Sequence, residues 1–103
     1  MQSLTDNAVA TNTRIDEGAQ KLLGNAVANN TTLPGMPATQ DIQGNATAKY
    51  TVVNSYSRQA VSDSGAAFAS LINDKGLQQI YEGDEISDIT VNLGGEVILT
   101  RKG

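Results

Sequence analysis

The break at Leu33-Pro34-Gly35-Met36-Pro37 constrains this chain most, because it carries both of its prolines. No regular helix or central strand runs through two prolines this close together, since each lacks an amide donor and fixes its own φ. Asn29 to Pro37 therefore reads as a turn, with Pro34-Gly35 suited to a type II bend and Pro37 suited to the first position of a following helix. The break leaves two long stretches before a tail of different character.

The first stretch, residues 4–28, reads as a helix. Ser3 and Asp6 resemble a capping box, and Leu4, Ala8, Thr11, Ile15, Gly18 and Leu22 recur at spacings of three and four. The second, residues 38–75, repeats Ala46, Tyr50, Val53, Ser57, Ala60, Ser64, Phe68 and Leu71 at similar spacings, with Gly76 placed as its C-cap. Tyr50-Thr51-Val52-Val53 is the competing strand signal within it. In the tail, residues 77–103, two strand-like runs flank Gly94-Gly95, the pattern of a two-residue hairpin. The expected fold class is α+β: one domain made of a long antiparallel helical hairpin, with coiled-coil-like faces, followed by a C-terminal β-hairpin.

Composition narrows the function. The 103 residues contain no Cys, His or Trp, which removes the commonest parts of metal sites, nucleophile–base pairs and redox motifs. The net charge is −4 and the seven Lys and Arg residues are scattered, so no basic stripe exists for nucleic acid. No apolar run approaches a membrane span, and no basic-then-apolar leader is visible. Asp41, Asp63 and Asp74 form no motif for acid–base work, and Glu82, Asp84, Glu85 and Asp88 read as a solvated acidic turn rather than a cation loop. The expectation is a non-enzymatic assembly or binding protein with no catalytic residues, metal or cofactor. It would act outside the cell or in a virion, as a homo- or hetero-oligomer.

A further set of residues points to a family. The Thr31-Thr32-Leu33-Pro34-Gly35 linker followed by Thr39-Gln40, the Phe68…Asp74 pattern, and Tyr81-Glu82-Gly83-Asp84-Glu85 as a Tyr-x-x-x-Glu signal together resemble the WXG100-like proteins of type VII secretion. The likeness is to the small helical partners of LXG toxins. The resemblance implies pairing of helices with a secreted toxin, with Tyr81 and Glu85 serving recognition. On that reading Leu4, Ile15, Leu22, Val53, Phe68 and Leu71 meet the partner's helices. The alternative is a self-assembling structural subunit of a virion or extracellular filament, in which Val97 and Leu99 on the hairpin meet neighbouring copies.

Overall fold

The computed structural model describes residues 2–16, 18–34, 38–62, 65–81 and 85–100. Among these residues there is no helix; the chain coils into a parallel β-solenoid of about five turns. The first coil contributes β1 (Gln2–Leu4) and β2 (Val9–Thr11), and the second β3 (Gly18–Leu22), β4 (Val27–Asn29) and β5 (Thr32–Leu33). The third has β6 (Ala38–Ile42), β7 (Thr47–Lys49) and β8 (Val52–Val53), and the fourth β9 (Arg58–Val61), β10 (Ala66–Phe68) and β11 (Leu71–Ile72). The last strands are β12 (Leu77–Tyr81), β13 (Glu85–Ser87), β14 (Thr90–Val91) and β15 (Glu96–Thr100).

Three walls result. One is the six-stranded sheet β1-β3-β6-β9-β12-β15, the second the five-stranded sheet β13-β10-β7-β4-β2, and the third the four-stranded sheet β14-β11-β8-β5. Every pairing is parallel, and each strand meets the strand one coil away. Arg14 adds a parallel bridge to Thr32 that begins the third wall in the first coil.

Register turns the interior into columns. Leu4, Leu22, Ile42, Val61, Ile80 and Leu99 stack in one. Ala28, Ala48 and Ala67 stack in another, and Leu33, Val53 and Ile72 in a third. The two apolar clusters these make are small, because alanine fills much of the second wall. Small residues there bring the walls together, and the larger aliphatics of the other walls fill the remaining space.

The corners explain why short strands suffice. A single residue in the left-handed region turns the chain between the second and third walls: Asn12, Asn30, Tyr50, Ala69 and Asp88 in successive coils. Asp6, Gly24 and Gly44 do so after the first wall, and Tyr56, Lys75 and Gly94 before it. Gly76 and Gly95 follow the last of these corners for a steric reason. A Cβ there would lie 2.5 Å from the Val53 carbonyl oxygen and 2.6 Å from that of Ile72.

This overturns the α+β helical hairpin, its coiled-coil faces and the C-terminal β-hairpin. Residues 4–28 and 38–75 are strands and corners. The inward positions run 20, 22, 26, 28, 31, 33 and 38, 40, 42, 46, 48, 51, 53. Alternation within each strand gives steps of two, and each corner inserts a step of three or four. The mixture imitates a helical period when only some members are sampled. Gly94-Gly95 is a corner rather than a hairpin turn: β14 pairs β11 and β15 pairs β12, both parallel, so the two runs that flank it do not pair with each other. The Tyr50-to-Val53 ambiguity resolves as a corner at Tyr50 followed by strand β8. With no helices to pair, the WXG100-like resemblance is not supported either. The middle of its Tyr81…Glu85 signal, like Gly35 to Pro37 of the turn, lies outside the described residues.

Candidate interaction surfaces

The solenoid's most organised polar feature is internal. Gln2, Gln20, Gln40, Gln59 and Gln78 share one inward column, at steps of 18, 20, 19 and 19 residues. Gln20 Nε2 donates to Gln2 Oε1. Gln40 then donates to Gln20 at 2.7 Å, Gln59 to Gln40 at 2.7 Å and Gln78 to Gln59 at 2.6 Å. The carbonyls of Gln20, Gln40 and Gln59 each also accept a hydroxyl from a residue that leads into the third wall. Thr31 reaches Gln20 at 3.2 Å, Thr51 reaches Gln40 at 3.0 Å and Ser70 reaches Gln59 at 3.0 Å. Stacked amides of this kind add hydrogen bonds along the axis that complement the backbone ladder. A second amide column, Asn54–Asn73–Asn92, runs at the corner with bonds of 2.7 and 2.6 Å.

The amide ladder has a direction and an end. Gln20, Gln40, Gln59 and Gln78 each point Nε2 toward the preceding coil, so the Oε1 of Gln2, Gln20, Gln40 and Gln59 receives the next coil's amide. In the last coil the ladder position is Val97, and the hydroxyl position above Ser70 is Ile89. Both donors are lost together, and Gln78 Oε1 is buried without a hydrogen-bond partner. The remaining inward positions described in that coil are Ile86, Val91 and Leu99. Every inward side chain described in that coil is therefore aliphatic. The N-terminal face keeps the internal pattern, with Gln2 and Leu4 on the first wall, Ala8 and Ala10 on the second, and Thr13 and Ile15 on the third.

Nothing in the described residues covers the aliphatic face. Leu99, sixth in a column whose other members are buried, is 72% exposed, and Val91 is 47% exposed. Leu93 in the adjoining corner is 97% exposed. The outer edges of β13, β14 and β15 pair with no described strand.

A shallow groove of 410 Å³ runs along the corner before the first wall, lined by Thr39, Tyr56, Arg58, Lys75, Leu77 and Glu96 among others. Lys75 Nζ lies 5.3 Å from the Tyr56 ring centre and donates to its hydroxyl at 3.2 Å. That hydrogen bond raises the Lys75 pKa above its ordinary value. The groove holds no buried ionisable group. Among the described residues no three acidic side chains are grouped to hold a metal. Asp41 lies on the outward side of β6 and Asp74 in an exposed corner; Asp63, and Glu82 and Asp84 of the acidic turn, lie outside the described residues. Among the described residues no helix is long and apolar enough to cross a membrane.

The interaction residues read from the sequence scatter across this frame. Leu4, Leu22 and Val53 are buried, with Leu4 directly under Leu22. Ile15 and Val97 pack at the margin of the second apolar cluster. Phe68 and Leu71 are half-buried on strands β10 and β11, and Tyr81 half-buried at the end of β12, opposite Thr100. Glu85 begins β13. Of the ten, Val97 and Leu99 come together at the end face. The glutamines were missed, although their spacing near 19 was a readable signal. The described residues form a three-walled β-solenoid that keeps Gln2 and Thr13 among the apolar side chains of its N-terminal face and only aliphatic inward side chains in its last coil. No family model, curated protein or solved structure matches the chain.

Proposed function

We propose that this chain is a structural module whose work is assembly: a stiff, three-walled segment that associates with protein surfaces, copies of itself included, rather than transforming a small molecule. The observation that carries the reading is the end-face asymmetry. Among the described residues, the stacked columns of the interior run out to an aliphatic coil whose outer strand edges pair with no described strand, and such edges favour pairing with further chain. The described interior is filled by stacked side-chain columns, and the outer groove is lined by the exposed side chains of Tyr56, Arg58, Lys75 and Glu96 among others. Its Asn-, Thr- and Ala-rich, charge-poor sequence supports an extracellular or virion-associated setting.

Sedimentation velocity over a concentration series tests the reading. Reversible association by the folded chain is the expected outcome. A folded monomer at every concentration overturns it.

A further inference from the structure

The two ends differ in what they accept. Stacking the N-terminal face of one copy on the C-terminal face of another sets β1 over β15, with Leu4 over Leu99. That continues the apolar column. It also sets Gln2 over Val97. Gln2 Oε1 already accepts from Gln20, so the amide group left for a neighbouring copy is Nε2, a donor, and Val97 offers it no acceptor. Burying an unpaired amide in this way is unfavourable. Head-to-tail growth is therefore disfavoured by the same substitution that ends the ladder.

Two C-terminal faces have no such conflict. A twofold axis through Ile98, perpendicular to the first wall, pairs β15 antiparallel with its copy. Val97 then faces Leu99 of the second copy, both inward, and Ile98 faces Ile98. Glu96 faces Thr100, so no like charges oppose along the strand. The same rotation sets β13 over β14 of the other copy, and Ile86, Ile89 and Val91 join the sealed interior. We propose, resting on the assembly reading above, that the occupant of the aliphatic end face is a second copy of this chain, docked tail to tail into a closed isologous dimer.

Ile98→Cys tests the geometry without touching the inward side chains, and the chain has no other cysteine. Facing residues of an antiparallel pair lie about 4.5–5.5 Å apart at Cα, within disulfide range. Mild oxidation is expected to give a covalent dimer and nothing larger. Leu99→Lys, checked for fold by circular dichroism, is expected to raise the dissociation constant at least about tenfold, because the change enters a twofold interface twice. Open-ended polymers overturn the tail-to-tail docking while leaving assembly intact. So does a wild-type dimer in which Ile98→Cys does not cross-link, or one that a folded Leu99→Lys does not weaken. A wild-type monomer at all concentrations overturns both.

Discussion

Val97 stands in register above Gln78, at the place where every earlier coil sets another glutamine. The pair marks the only step of the ladder at which a buried carbonyl among the described residues loses its partners. Interior chemistry and end-face chemistry thus change at the same step.

Val97→Gln restores the missing donor. Its Nε2 would reach Gln78 Oε1 as in the coils below, and its own carbonyl would face solvent at the open end. A net hydrogen bond contributes about 0.5–1.5 kcal/mol, against a smaller loss from a half-buried valine. A modest rise in the urea midpoint is expected at concentrations where the chain is monomeric. An unchanged or lower midpoint would show that Gln78 Oε1 costs nothing where it is.

Gln40→Leu removes the middle of the ladder. Thr51 Oγ1 and Gln59 Nε2 both lose their acceptor and are buried. Each orphaned donor costs about 1–3 kcal/mol, so a large fall in unfolding free energy is expected from chemical denaturation. A loss below about 1 kcal/mol would mean that the ladder is a passenger of the backbone stacking.

Ala69 holds a φ of 56°, at a corner where Asn12 and Asn30 serve in other coils. The left-handed conformation costs an ordinary L-residue roughly 1–2 kcal/mol, and asparagine tolerates it best after glycine. Ala69→Asn should stabilise the chain by about 1 kcal/mol, read as a higher melting temperature. Destabilisation would argue that the Ala69 methyl group is needed for packing.

Asp88 occupies the corner opposite the first wall, at the end coil, with a φ of 56°. In the tail-to-tail arrangement the twofold axis passes near it and brings two exposed carboxylates together. Asp88→Asn suits the same backbone and removes that repulsion. Tighter association is expected at low salt, with the gain fading as salt screens the wild-type pair. No difference in sedimentation at low salt would speak against the axis.

Part of this architecture was legible beforehand. The strand character around Thr90–Val91 and Glu96–Thr100 follows from β-branched alternation, and both strands form. The Val52–Val53 strand was visible as a competitor to helix. The repeat escaped because its most regular inward member is glutamine, which hydrophobic patterning treats as surface. Strands of two to five residues also end before alternation accumulates. Gly24-Asn25-Ala26 and Gly44-Asn45-Ala46, and asparagine at 54, 73 and 92, carry the same period in polar and small residues. The end face was half legible: Val97 and Leu99 stood out as an apolar pair, but only the parallel register shows which glutamine column Val97 terminates.

The near-regular coil also makes this chain a ruler. Each step of 18 to 20 residues adds one strand spacing, about 4.8 Å, to the height and nothing to the cross-section. Deleting or duplicating a whole internal unit would reset the distance between the two ends in quanta, with the walls, the amide column and the aliphatic lid unaltered.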